Sequence, residues 1–297
     1  MNTHGAEQAD STIDLHIHSN HSDGLLSPHA IVEIAHDRRL RAISITDHDT
    51  ISGVAPAVEA GAKCGLEIVP GVELSSSYKG AEVHILGYYI DIHNPILCEY
   101  VNLFTRSREE RARKILIHLG KLGMHVPFEL VKRKVNGGSI CRPHIADVLV
   151  EEGHCFSHYE AFEKYLGEGK PAYVPKMNMS PVDAVRLIKK AGGLAFLAHP
   201  AIGGGKQILH RLREFEFDGI EIIHPKHSAW DVCYFSGIAG QNNLLCSGGS
   251  DCHGARPGEI IIGSLKVSYH LLKQIKDAVH HSHTICSLQA GRKLPAG

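Results

Sequence analysis

Residues 11–24 read STIDLHIHSNHSDG, and this stretch decides how the chain is understood. Ile13, Leu15 and Ile17 alternate with Asp14, His16 and His18, the period of a strand with one apolar face. Alternation places His16 and His18 together on the opposite face, one pleat apart, where two imidazoles can chelate one metal ion. Taken alone, the pair reads equally well as hydrogen-bonded core histidines.

The same spacing recurs late in the chain. In SDCHG, Asp251 and His253 flank Cys252 after the apolar run NLLCS, and alternation points Cys252 away from them. Between these ends lie His48 in ITDHDT, Glu73 in PGVELS and His199 in LAHP, each closing an apolar run, while His84 sits inside EVHILGYY. Strands of a parallel α/β barrel direct their C-terminal ends to one mouth. Six strands carrying His, Asp or Glu there are improbable as separate accidents, because uncompensated buried charge is costly and coordination compensates it. Imidazole with carboxylate favours manganese, iron or zinc over magnesium or calcium.

The bulk numbers narrow the class. With 297 residues the chain has room for one large α/β domain or two smaller ones, and 43% hydrophobic with 21% charged residues is ordinary for a soluble protein. A net charge of −1 excludes capture of nucleic acid or anionic membrane by a global field. No apolar run approaches a membrane span, and residues 1–12 (MNTHGAEQADST) lack a hydrophobic signal region, so a cytoplasmic protein without membrane association is expected. The 8 cysteines form no CxxC pair, which argues against a disulfide framework or thiolate zinc site. The 23 histidines are heavy usage; His280, His281 and His283 fall on a polar stretch and read as solvated.

Strands are expected at 12–18, 42–49, 67–75, 81–91, 194–200, 219–225 and 243–254. Helices are expected at 27–40, opened by Ser27 and Pro28, and at 53–65, 180–193 and 204–215. This rhythm predicts a parallel sheet or barrel. It breaks at residues 94–175, where a long amphipathic helix (95–123) and shorter ones at 127–135, 142–153 and 158–167 predict an inserted helical subdomain. The expected layout is a discontinuous barrel over 12–93 and 176–286, the insertion capping the substrate over 94–175, and a tail over 287–297. The basic run TRSREERARK reads as a solvated helix face, and His21 as a loop histidine.

Together HxH, SDG, TDHD, GVE, an inner-strand His, AHP and SDxH resemble the polymerase-and-histidinol-phosphatase (PHP) family of metal-dependent phosphoesterases. The resemblance implies a distorted seven-stranded (β/α) barrel holding three divalent transition-metal ions. By motif, His16, His18, Glu73 and Asp251 would hold the first; Glu73 would bridge to a second completed by His84 and His199; Asp23, His48 and His253 would hold the third. SICRPHIADVLV resembles the branch containing 3′,5′-nucleoside bisphosphate phosphatases and a 5′-to-3′ exoribonuclease, which implies that Arg142 and His144 face the metals and grip phosphate. Lys176 and His227 are further substrate-binding candidates, although a solvated linker lysine and a plain loop histidine are the simpler readings.

The expected reaction is in-line attack by a metal-bound hydroxide on a small nucleotide or short RNA, with no side-chain base and no obligate protein partner. Histidinol-phosphate phosphatase is the rival within the family. A barrel amidohydrolase would bridge its metals with a carbamylated lysine, where this chain has Glu73. A non-catalytic barrel module would have lost ligands, and none is missing.

Overall fold

The computed structural model describes residues 12–135, 138–177, 179–255 and 258–290, with side chains to residue 281. Seven strands form one sheet in chain order: β1 (Ile13–Ile17), β2 (Ala42–Ile45), β3 (Glu67–Tyr78), β4 (Ala81–Tyr88), β5 (Leu194–Leu197), β6 (Gly219–Ile223) and β7 (Leu245–Gly248). β7 returns to β1, so the sheet is a nearly closed, distorted barrel: a parallel bridge joins Ile17 to Cys252, and Asp251 N–H donates to the His16 carbonyl at 2.8 Å. The buried Asp14 carboxylate strengthens this seam by accepting from the Ser250 and Gly263 amides, both at 2.8 Å.

The expected all-parallel order fails at one strand. β4 runs antiparallel to both β3 and β5. The cause is the two-residue link Lys79–Gly80, whose φ values of 50° and 84° suit a tight hairpin turn and leave no length for a crossover helix. The reversal brings His84, midway along β4, opposite Ser75, two residues from Glu73 midway along β3.

Helices cover the barrel from outside. α1 (Pro28–Asp37) is capped by Ser27, and α2 (Val54–Cys64) ends at the left-handed Gly65. α7 (Pro181–Lys190) buries Val185 and Ile188 in the cluster that contains Val72, Leu74 and Leu197. The helix expected at 204–215 is shorter: α8 (Gly205–Ile208) passes into a 3-10 turn at Leu209–Arg211. Its start lacks a side-chain cap and is tied to β4 by Gly204 N–H donating to the Glu82 carbonyl. Two helices went unanticipated, α9 (Ala229–Asn242) and α10 (Tyr269–Ala290). The signal for α9 was Ser228 with Asp231, which form a capping box. α10 buries Leu272, Ile275 and Val279 and takes in the start of the expected tail, whose residues 291–297 lie outside the described ones. His280 and His281 on it are exposed; the His283 side chain lies outside the described residues.

Between β4 and α7 run α3 (Pro95–Lys121), α4 (Phe128–Lys132), α5 (Arg142–Glu151) and α6 (His158–Ala161), which leads into a π-helical turn at Phe162–Leu166. Ile115, Leu119, Val131, Ile145, Leu149 and Leu166 form a core of their own. α3 serves both bodies: its first half places Leu97, Val101 and Phe104 in the barrel cluster, and its second half enters the helical core. Among the described residues no helix is long and apolar enough to cross a membrane.

Candidate metal centre

The ends of β1, β2, β5 and β7 with the loops that follow them, and the middles of β3 and β4, bring nine ligand-type side chains together. Four overlapping groups have ligand atoms within 4.8 Å of one another: His16, His18 and Asp251; His16, Glu73 and His199; His48, Glu73 and His84; and His18, Asp23, His48 and His253. Glu73 is fully buried at the middle. Its Oε2 faces His16 Nε2 at 3.4 Å, His18 Nε2 at 3.2 Å and His48 Nδ1 at 3.1 Å. Its Oε1 faces His84 Nδ1 at 2.9 Å and His199 Nε2 at 3.0 Å. Asp251 Oδ1 lies 3.1 Å from His18 Nε2, and Asp23 Oδ1 lies 3.4 Å from His253 Nε2. The backbone is left-handed at His199 (φ 24°), Asp251 (φ 50°) and Asp49 (φ 52°), a concentration of strain that recurs at functional sites.

These atoms are close without being satisfied. Asp23 Oδ1, Glu73 Oε2 and the Nδ1 atoms of His18, His48 and His84 are buried with no hydrogen-bond partner. Buried polar atoms are normally paired, so a cluster of converging orphans fits divalent metal binding. Electrostatics agree. Burial opposes charge throughout, yet the Asp251 and Glu73 carboxylates hold His18 up to about 10. Against the same burial, Glu73 and Glu82 hold His84 up to about 9. Burial drives His48 down to about 3, against the pull of Glu73 and Asp23. Glu73 stays well below the carboxylate range despite burial, because His48, His84 and His16 surround it.

A supporting layer escaped the sequence reading. Glu221 on β6 is fully buried; its Oε1 meets His16 Nδ1 at 3.0 Å and its Oε2 accepts from the His199 amide at 2.7 Å. Its sequence signal was a carboxylate inside the apolar run GIEII, the same signal that singled out His84. His224 Nε2 lies 3.2 Å from Asp251 Oδ2. Asp47 accepts from the Ser19 amide at 2.7 Å and from the Ser19 and Ser22 hydroxyls at 2.6 Å, fixing the loop that delivers Asp23. His253 Nδ1–H donates to the Asp251 carbonyl at 2.9 Å, which turns Nε2 toward Asp23. His21 stands apart, with Nδ1 2.9 Å from the Ser52 hydroxyl.

A cationic cleft opens beside Asp23 and His48 and is lined by Arg108, Arg111, Arg142 and Lys176. Arg108 and Arg111 correct the solvated reading of the basic run. They continue the α3 stripe Val101, Phe104, Arg108, Arg111, Ile115, whose 3–4 spacing turns both inward, and both are buried. Arg108 Nε binds Asp49 at 3.1 Å while its Nη1 lies 3.1 Å from the Cys141 Sγ. Burial, with Arg142 and Arg108 nearby, lowers Arg111 to about 10, a mark of crowded positive charge. Arg142 donates to the Leu166 carbonyl at 3.2 Å and lies near the Phe162 and Tyr173 rings. Lys176 pairs with Glu82, whose Oε1 is also 2.5 Å from His84 Nε2. His144 is buried, and its Nδ1 accepts the Cys141 amide at 3.0 Å as part of the α5 cap. His227 lies outside both cluster and cleft, with Nδ1–H donating to the Ile222 carbonyl at 3.0 Å.

The profile of the PHP domain matches residues 14–169. The chain is 37% identical over 255 residues to the 3′,5′-nucleoside bisphosphate phosphatase of Chromobacterium violaceum, covering 84% of this chain and 89% of that one. It is 36% identical over 247 residues to the 5′-3′ exoribonuclease Rnm of Escherichia coli, covering 81% and 84%. A solved structure described as a candidate metal-dependent phosphoesterase from Bifidobacterium adolescentis superposes with a TM-score of 0.82 at 26% identity, covering 91% and 96%.

Proposed function

The chain belongs to the PHP family and is a metal-dependent phosphoesterase, and on that premise we propose that it removes the 3′-phosphate of nucleoside 3′,5′-bisphosphates and trims the 5′ end of short RNA in the cytoplasm. The observation that carries this reading is the cationic cleft joined to the ligand cluster at Asp23 and His48. A substrate with two phosphates fills both places at once.

In this reading the nine ligands hold three divalent ions, manganese, iron or zinc: His16, His18, Glu73 and Asp251 at the first, Glu73, His84 and His199 at the second, and Asp23, His48 and His253 at the third. Bound, these ions would supply Lewis acidity and an activated water. The protein's own part is placement. Arg142 and Lys176, with Arg111 beside them, hold the 5′-phosphate. Contact remote from the reacting phosphorus positions the 3′-phosphate on the cluster. The helical segment 94–175 supplies Arg108, Arg111 and Arg142, so it caps the barrel mouth and provides the specificity. His144 serves by holding the N-terminus of α5, the helix that begins at Arg142.

The test is phosphate release by manganese-loaded protein. Adenosine 3′,5′-bisphosphate should exceed both AMP and histidinol phosphate in kcat/KM, yielding AMP. Arg142→Ala should lower kcat/KM for the bisphosphate roughly ten- to a hundredfold while metal content stays constant. A preference for histidinol phosphate, or no advantage over AMP, refutes the two-phosphate reading.

A further inference from the structure

Among the described residues a cationic cleft and a second cleft reach the ligand cluster, and they share no lining residue. The cationic one, about 190 Å³, meets it at Asp23 and His48. The second, about 240 Å³, meets it at Asp251 and His253; Lys226 after β6 and Gly254 and Ile261 after β7 form its walls, with Glu259 also on its rim. A nucleoside 3′,5′-bisphosphate engages only the cluster and the cationic cleft. Its scissile phosphate carries no further substituent, so the second opening has nothing to receive.

A phosphodiester differs at that point. Besides the 3′-oxygen that leaves, its phosphorus bears the 5′-oxygen of the next nucleotide, which must pass out on another side. We infer that the second cleft receives the RNA chain 3′ of the scissile bond, with the Lys226 ammonium at its backbone phosphate; this rests on the function proposed above. Lys226 is exposed, and among the described residues its Nζ makes no ion pair. Its backbone is fixed to the centre, since its amide donates to His224 Nδ1 at 3.1 Å and His224 Nε2 meets Asp251 at 3.2 Å.

α9, which begins three residues after Lys226, carries an exposed aromatic pair. Trp230 and Tyr234, one turn apart on α9, stack at 4.8 Å with 15° between their planes, although 64% and 43% exposed. Ring contacts run inward from Tyr234 to Phe235 (5.7 Å), His227 (5.0 Å) and His224 (5.1 Å). Single-stranded nucleic acid is held by a base on an aromatic ring and a phosphate on a cation, and Trp230 and Lys226, four residues apart in the chain, offer both. In the reaction an oxygen–phosphorus bond forms from water, the bond from phosphorus to the 3′-oxygen breaks, and a proton passes to that oxygen. The products are a nucleoside 5′-monophosphate and an RNA one nucleotide shorter that still bears a 5′-phosphate.

The experiment compares manganese-loaded wild type, Lys226→Glu and Trp230→Ala on a 5′-phosphorylated tetranucleotide RNA and on adenosine 3′,5′-bisphosphate. Lys226→Glu should lower kcat/KM for RNA about tenfold or more and leave the bisphosphate within about twofold. Trp230→Ala should act in the same direction on RNA alone. An effect confined to Lys226→Glu keeps the cleft and removes the aromatic platform. RNA hydrolysis unchanged in both variants, or a parallel fall on both substrates, overturns the assignment. A wild-type protein that cleaves the bisphosphate but not RNA also overturns it, whereas one that cleaves neither overturns the function on which it rests.

Discussion

His16 presents Nε2 to the cluster because Glu221 holds its Nδ1, and the same carboxylate holds the His199 amide with its other oxygen. One buried group thus accepts two donors. Glutamine has the same shape but a single acceptor oxygen, so Glu221→Gln leaves either the His16 ring or the His199 amide facing an NH2 group. Outer partners of metal-binding histidines commonly set affinity by about ten- to a hundredfold. The variant should lose affinity by that factor in a chelator competition, with its fold intact by circular dichroism; wild-type affinity would show that His16 needs no such support. His18 and His84 illustrate the same dependence on surroundings, since burial alone would push both below the ordinary histidine range and the carboxylates reverse the sign.

At the scale of elements, the seam between β1 and β7 closes the barrel and positions three of the ligands, His16, His18 and Asp251. Gly249 makes the seam possible. A Cβ there would lie 2.3 Å from the His16 backbone nitrogen, and backbone cannot move aside as a flexible side chain can. Gly249→Ala should therefore destabilise the protein by about 1–3 kcal/mol, as overpacking does, and weaken metal binding because His16 is displaced. Denaturant unfolding and metal titration check the two effects together; a stable variant with intact affinity would show a looser seam. The β3–β4 hairpin shows how a short link governs direction. Lys79 and Gly80 reverse the chain, and only that reversal lets His84 share Glu73 with His199.

For the molecule as a whole, the candidate metal centre is expected to act as a structural keystone as well. Glu73 and Asp23 are buried and Asp251 is partly buried, and all three carboxylates converge on the same histidines, which hold them below the carboxylate range against desolvation. Ions binding only the folded state stabilise it by mass action, about 3–4 kcal/mol at a hundred- to a thousandfold excess over Kd. For a chain of this size, removing them with chelator should lower Tm by roughly 5–15 °C. Calorimetry with manganese and with chelator measures it, and coincident transitions would mean that the strand ends hold together without metal. The helical segment between β4 and α7 has its own core yet sends Arg108 and Arg111 to the barrel mouth through α3, which also packs on the barrel. In the proposed function, substrate recognition is thereby tied to the docking of that segment.

Much of this was legible in the sequence because it is local. Period-2 alternation identified strands, and a polar group closing an apolar run identified His16, His18, His48, Glu73, His199, Asp251 and His253 before any contact was known. The ligand chemistry followed from residue type, since histidine and carboxylate together near a core ask for metal. Periodicity and residue type did not register the rest. The direction of β4 depends on a two-residue turn that alternation does not register. Glu221 and His224 act through partners far away in the chain. Arg108 and Arg111 read as surface charge until the neighbours of α3 make that face an interior wall. A side chain's type and period are written along the chain, whereas the surface it faces is set by what packs opposite, and that is a property of the assembled fold.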